Sequence, residues 1–438
     1  MDSTKQAVLQ FVAENDVKFI RLAFCDVTGT LKNVSIMPQE LPRAFESGIS
    51  FDASSIAGFA PVSRSDLFLV PDAATLSVLP WRPQTGRVMR LFCNVRTADG
   101  EPYAADGRAI LRRVADEAAA AGFSCRVGAE CEFYLFQRDA DGNPTKRPHD
   151  SGGYFDVAPL DKGENVRREI CLTLEEMNIL PESSHHEQGP GQNEIDFRYA
   201  APLTAADEVI TFKNVVKTIA ARNGLFGSFS PKPLADRSGS GMHVNLSLSR
   251  GGENLFARGA DGADSPLMQA FIAGVLAHAG EICAFTNPVP ESYARLGCFE
   301  APQYVTWSHQ NRSQLIRIPA APTPEYARIE VRTPDVACNP YHAFALLLAA
   351  GLEGVQQHLS LPAETPYDLY TANTHALTPL PASLEEAIAA AHDSAFVRRV
   401  LGDEVARKVL ALKQEEQNRW FAARDKQKYQ DEAYFLTL

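Results

Sequence analysis

The order of patterns along this sequence predicts an α+β chain in two units, residues 1–105 and 106–438. Three observations carry that expectation. Short alternating apolar runs crowd the N-terminal part, helix-period and strand-period segments alternate from Asp106 onward, and the 438 residues are 45% hydrophobic and 22% charged, enough apolar material for a large core.

In the first unit, residues 3–14 have a helical pattern, and 17–25 alternate as a strand through Phe19, Ile20, Leu22 and Phe24. The turn 26–30 leads to a second strand at 31–37, which makes a hairpin. Residues 38–45 fit a helix, and 67–70, 75–79 and 87–95 fit strands. The loop 51–59, polar at its centre and apolar at its rims, fits a turn capped by Asp52 or a serine.

In the second unit, Asp106 caps a helix through Ile110, Leu111, Val114 and Ala118 that Gly122 closes. The strand 126–136 follows, carrying Glu130 and Glu132. Side chains two apart in a strand share a face, and carboxylates about 4 Å apart repel by roughly 4 kcal/mol at an effective dielectric near 20. Two readings remain open for that pair: a solvated sheet face, or a face that holds cations. Next come a Gly-rich hairpin tip at 151–155, a helix at 165–177, and a hairpin whose arms, 182–187 and 194–197, set Glu187 and Glu194 toward one site. After a helix at 204–223 and a strand at 225–229, Gly239-Ser240-Gly241 resembles a phosphate loop only faintly, since the third glycine and the Gly-Lys-Ser/Thr are missing. It feeds a strand with His243, Asn245 and Ser247 on one face.

The helix 266–286 is apolar. Arg295, Arg312, Arg317, Arg328 and Arg332 then gather in a chain of net charge −12, a pattern suited to bidentate binding of a polyanion or to ion pairing with acidic side chains. Residues 328–332 alternate as a strand, 340–358 form a core helix, 362–381 read as loop, and 403–424 as a charged helix. The acidic balance argues against nucleic acid or an anionic membrane as main partner. The longest unbroken apolar run, 343–350, is too short to span a bilayer, and the N-terminus lacks an apolar signal core. Eight scattered cysteines without a C-x-x-C pair fit reduced thiols, so the expected location is cytoplasmic.

Glu130-x-Glu132, His185-His186-Glu187 with Glu194, Gly239-Ser240-Gly241-Met242-His243, Asn311-Arg312-Ser313 with Arg317, and Arg328-Ile329-Glu330-Val331-Arg332 occur in that order. This ordered set resembles the glutamine synthetase family, type I, in its short form without the adenylylation insertion. The resemblance runs from about residue 17 to 354. It implies a β-grasp N-terminal domain packed on a catalytic α/β half-barrel with a C-terminal helical segment, and active sites between subunits of hexameric rings, usually stacked as a dodecamer.

By motif, the resemblance puts Glu132, Glu187 and Glu194 on one divalent ion and Glu130, His243 and Glu330 on another, with two or three Mg²⁺ or Mn²⁺ in all. ATP would meet Arg317 and Arg328, with Glu182, Asn245 and Ser247 near the nucleoside. L-Glutamate would lie along Gly239 with Arg295 on its α-carboxylate, while Arg312 and Arg332 serve the phosphoryl and γ-carboxylate ends. Asp52 of an adjacent subunit, with Ser55, Tyr154 and Glu187, would hold and deprotonate ammonium, and Glu300 would close over the intermediate. The implied activity is ATP-dependent ligation of ammonia to glutamate. A γ-glutamyl-amine ligase and a catalytically silent ring-forming sensor or scaffold are the alternatives. Departures from the family pattern are Ser238 for Asn, Asn245 for His, Glu325 for Lys and a segment 295–300 one residue short.

Overall fold

The computed structural model describes residues 3–438. The N-terminal domain is built from α1 (Ser3–Glu14), β1 (Val17–Cys25), β2 (Leu31–Ile36), α2 (Leu41–Ser47), β3 (Ile49–Asp52), β4 (Asp66–Pro71), β5 (Ser77–Val78) and β6 (Arg87–Arg96). Its sheet runs β2-β1-β6-β4-β3, with β1 and β6 parallel at the centre and α1 and α2 on one face, the β-grasp arrangement. Ile20, Leu22, Leu69, Met89 and Leu91 are fully buried, and residues 22–25 of β1 and 88–93 of β6 are buried on both faces, whereas Phe19 stays exposed.

The second domain opens with a helix. Asp106 caps α3 (Gly107–Ala120) by accepting the Arg108 N–H, and Ile110, Leu111, Val114 and Ala118 form the buried stripe. It continues with β7 (Ser124–Arg138), β8 (Pro144–Pro148), α4 (Glu164–Glu176), β9 (Pro181–His186), β10 (Gln192–Phe197), α5 (Pro202–Arg222), β11 (Leu225–Ser228), β12 (Met242–Arg250) and β13 (Glu253–Asn254). Then come α6 (Pro266–Thr286), α7 (Pro290–Arg295), β14 (Trp307–His309), β15 (Ile316–Ile318), β16 (Ile329–Val331), α8 (Pro340–Gln356), α9 (Leu384–His392), α10 (Ala395–Leu401), α11 (Asp403–Ala422) and α12 (Lys426–Gln430). The strands form one curled half-barrel sheet in the order β14-β15-β16-β12-β7-β10-β9, with β8, β11 and β13 attached to it. The 15-residue β7 is its spine, pairing with β12, β10, β11 and β8.

One sequence expectation needs correction, and two features of the helices carry no clear signal in the sequence. The Gly-rich stretch 151–155 is not a hairpin tip: the turn lies at Asp139–Gly142, closed by Asp139 on the N–H groups of Asp141 and Asn143, and 151–155 is a loop that folds back onto β9. Helices α9 and α10 went unassigned because each is short, although Ser383 and Ser394 cap them. Helix α6 is long and apolar enough to cross a membrane by length and composition, at mean hydropathy 1.4, although Gln269, His278 and Glu281 interrupt its apolar run. That stretch is 67% buried within the fold. It packs on α8 so closely that a Cβ on Gly274 would lie 2.1 Å from the Ala350 carbonyl oxygen, and one on Gly354 equally near that of Ala270. Backbone contact of this kind is the reason for glycine at both positions.

Candidate active site

The concave face of the half-barrel is lined by register. Glu194 stands opposite Glu132, Asp196 and His243 flank Glu130 on either side, and Asn245 and Arg317 flank Glu330. Directly opposed residues of antiparallel strands share a face, so acidic groups from three strands converge there. Apart from Glu330, they line a cavity of about 490 Å³ that also receives Tyr154, Glu187, Gly239, Arg295, Glu300, Arg312 and Arg332. A second cavity of about 400 Å³ takes Glu182, Asn245, Ser247 and Tyr326. Glu130, Asp196 and Arg328 belong to both, so the two spaces adjoin along one wall.

Ligand atoms of Glu130, His243 and Glu330 come within 4.8 Å of one another. His243 Nδ1 is 3.3 Å from Glu130 and 3.5 Å from Glu330. The other expected set lines the same cavity without closing on one point. Glu132 accepts from Gln192 Nε2 and the Gly241 N–H, Glu187 accepts from the Gln188 N–H and faces His185 Nε2 at 3.0 Å, and Glu194 clusters with His185 and Asp196. Oxygen-rich donors with one imidazole suit hard divalent cations such as Mg²⁺ or Mn²⁺.

The electrostatics of the carboxylates fit such a guest. Burial, with Glu187 adding to it, pushes the Glu132 carboxyl up to about 7. Burial and Asp196 push Glu194 well above the carboxylate range, and burial and Glu130 bring Asp196 to about 6. The buried Oδ1 of Asp196 has no hydrogen-bond partner. Raised values mean that, in the metal-free chain, these groups contribute less stability as pH climbs from about 4 toward 7. They also mean that a cation must displace protons. Mn²⁺ binding at pH 7 is expected to release roughly half a proton from Glu132 alone. Calorimetry in buffers of different ionisation enthalpy checks this: release that falls as pH rises from about 6 to 8 agrees, and release unchanged with pH refutes it.

The arginines are held by backbone as much as by acids. Arg295 donates to the carbonyls of Thr333 and Arg332, and a Cβ on Gly239 would lie 2.7 Å from its Cγ, so only glycine fits beside it. Arg332 pairs with Glu330 at 2.5 Å and donates to the carbonyls of Arg312 and Glu300, tying two loops to β16. Arg328 Nε donates to Asn245, whose amide donates to Glu130. The loop after α7 carries two successive left-handed non-glycine residues, Phe299 (φ 48°) and Glu300 (φ 67°), a conformation that costs of order 1–3 kcal/mol each.

Asp52 and Ser55 do not line the cavity of their own chain. Asp52 caps the turn 53–55 by accepting the Ser54 N–H, and its hydrogen bonds to Ser54 hold its carboxyl below the ordinary value. Sequence reasoning assigned no role to Asp196 or Gln192. Asp196 follows Glu194 by two in β10 and so shares its face, which is a readable signal. Gln192, bridging Glu132 to the Gly239 carbonyl, gives no such signal.

The family model of the glutamine synthetase catalytic domain matches residues 104–431, and that of the glutamine synthetase β-grasp domain matches residues 16–98. The chain belongs to the glutamine synthetase family. The glutamine synthetase of Methanosarcina mazei is 46% identical over 425 residues, 94% of each chain, and that of Clostridium saccharobutylicum 45% identical over 409 residues, 92% of each. Among solved structures, a GmaS/ADP complex superposes with a TM-score of 0.88 at 28% identity, covering 97% of this chain and 98% of that one. Plasmodium falciparum glutamine synthetase, solved by cryo-EM, shares the fold, with a TM-score of 0.86 at 24% identity over 99% of both chains. Membership of the glutamine synthetase family accounts for a half-barrel with acidic groups on its concave face and implies ATP and a divalent metal.

Proposed function

We propose that this chain is a glutamate–ammonia ligase, joining ammonia to the γ-carboxylate of L-glutamate with conversion of ATP to ADP and phosphate. The observation that carries the reading is the Glu130, His243 and Glu330 cluster, whose Glu130 lines both cavities. ATP is assigned to the second cavity, beside Glu182, Asn245 and Ser247, with its phosphates crossing toward Arg317 and Arg328. Glutamate is assigned to the first, its backbone end against Gly239 and Arg295. An oxygen of its γ-carboxylate attacks the γ-phosphorus, the bond to ADP breaks, and γ-glutamyl phosphate forms; ammonia then attacks the acyl carbon and phosphate leaves. Two or three Mg²⁺ or Mn²⁺ held by Glu130, Glu132, Glu187, Glu194, His243 and Glu330 supply Lewis-acid charge at the transferring group.

Arg312 and Arg332 hold fixed positive charge where negative charge develops. Glu300 closes the site and keeps water from the acyl phosphate. Ser55, Tyr154 and Glu187 bind ammonium, and Asp52 takes its proton. Since Asp52 lies outside its own cavity, a neighbouring subunit provides it, and we assign hexameric rings, stacked as a dodecamer, as the working form. Eight unpaired cysteines support a cytoplasmic setting.

Phosphate release by the purified protein with ATP, Mg²⁺ and glutamate tests the reading when ammonium is compared with a panel of amines. Ammonium is expected to be the preferred acceptor. Preference for an organic amine would make the chain a γ-glutamyl-amine ligase, and no release with any acceptor would make it a silent ring protein.

A further inference from the structure

Beneath the ammonium side of the cavity lies a polar cluster that the mechanism above does not use. His186 and Asp150 have side chains 0% and 1% exposed, and His186 Nε2 lies 3.0 Å from Asp150 Oδ1. With Asp161 they have the residue types of a cation site, yet both carboxylates are committed. Asp161 is taken by Arg167, and Asp150 accepts the N–H groups of Gly191 and Lys162 at 2.7 and 3.1 Å. The other ring nitrogen of His186, Nδ1, reaches the Glu187 carbonyl at 2.6 Å. In the opposite direction, the His186 carbonyl accepts the Phe155 N–H, next to Tyr154.

One rigid ring is therefore bonded at one end to the backbone of Glu187. At the other it meets a carboxylate that also closes the far side of the same turn, at Gly191. The 151–155 loop is fitted against it: Gly152 donates weakly to Asp150 at 3.3 Å, and a Cβ on Gly152 would lie 2.9 Å from Nε2. Burial removes competing water from the His186–Asp150 and Gly191–Asp150 bonds, and a rigid imidazole transmits displacement between its two ends. Misplacement by about 1 Å at a reacting site costs up to 10²-fold.

We propose that His186, anchored by Asp150, is a positioning residue for the amine pocket: it fixes the spacing between Glu187 and the Tyr154 loop and so sets the affinity for ammonium. The inference rests on the assignment of Glu187 and Tyr154 to that pocket. His186→Gln keeps a donor near Asp150 and removes the one to the Glu187 carbonyl, whereas His186→Asn does the reverse. For His186→Gln the KM for ammonium is expected to rise about tenfold, with the KM for ATP within about twofold of wild type. His186→Asn is expected to recover part of that loss. Hydrogen exchange at the amides of residues 187–191 is expected to quicken in His186→Gln, a readout independent of turnover.

Wild type that forms no glutamine from ammonium would overturn the pocket assignment itself. Active wild type together with an unchanged ammonium KM in His186→Gln, or an equal rise in all substrate KM values, would overturn the positioning role, whatever the exchange data show. If His186→Gln fails to assemble, Gly152→Ala is read by the same criterion, since its methyl displaces the ring while leaving every polar group in place.

Discussion

Replacing Asp52 by Ala is expected to lower ammonium-dependent glutamine formation by 10²- to 10⁴-fold, the usual contribution of a positioned proton acceptor, while ATP binding changes less than about twofold. The geometry adds a second part. Asp52 is exposed at the end of β3 and absent from the cavity lining, whereas Arg312 lines the cavity. Rings assembled from Asp52→Ala and Arg312→Ala subunits should thus regain activity, because an intact cavity of one variant meets the intact Asp52 of the other. Random mixing around a closed ring restores roughly a quarter of the sites. Steady-state assay of co-expressed subunits reads this directly. Mixed rings as inactive as either parent would place Asp52 outside the reaction or within its own subunit's chemistry.

Glu330→Gln is expected to have the largest combined effect on stability and binding. Glu330 is 1% exposed and pairs with Arg332 and Arg317 at 2.5 Å each. Burial alone would raise its pKa, but Arg332, His243 and Arg317 outweigh it and hold the carboxyl at about 2. Taking the charge away leaves Arg332, itself 2% exposed, as an uncompensated buried cation, at a cost of about 3–5 kcal/mol. The folded value lies below the unfolded one, so in wild type this contribution is complete above about pH 4.5 and is lost as pH falls toward 2. Urea unfolding at pH 7 gives the loss, and a Mn²⁺ titration should show one metal equivalent fewer. A variant as stable as wild type that still binds every equivalent would exclude Glu330 from both roles.

The two predictions draw on different levels of the molecule. For Asp52 the turn chemistry is local: a short polar side chain capping the backbone two residues on is visible in 52–55 alone. The placement of Asp52 away from its own cavity is a matter of domain packing. For Glu330, the alternation of 328–332 shows that Arg328, Glu330 and Arg332 share a face. That Arg332 folds back along its own strand to Glu330, and that Arg317 arrives from β15, depends on pairing between β15 and β16.

What the sequence determined by itself follows from short-range periodicity. Period two put Glu130 with Glu132 and His243 with Asn245 on common faces, Asp106 announced a helix cap, and the apolar stripe of α3 announced part of the core. Only the tertiary structure decided which of those faces meet. Register between β7, β10, β12 and β16, elements up to about two hundred positions apart, sets Glu194 against Glu132 and His243 against Glu130, and a slip by one residue would turn those side chains to the other face. It also decided the placement of Gln192 and of the Asp150–His186 pair, because hydrogen bonds between loops leave no period in the chain for a reader to detect.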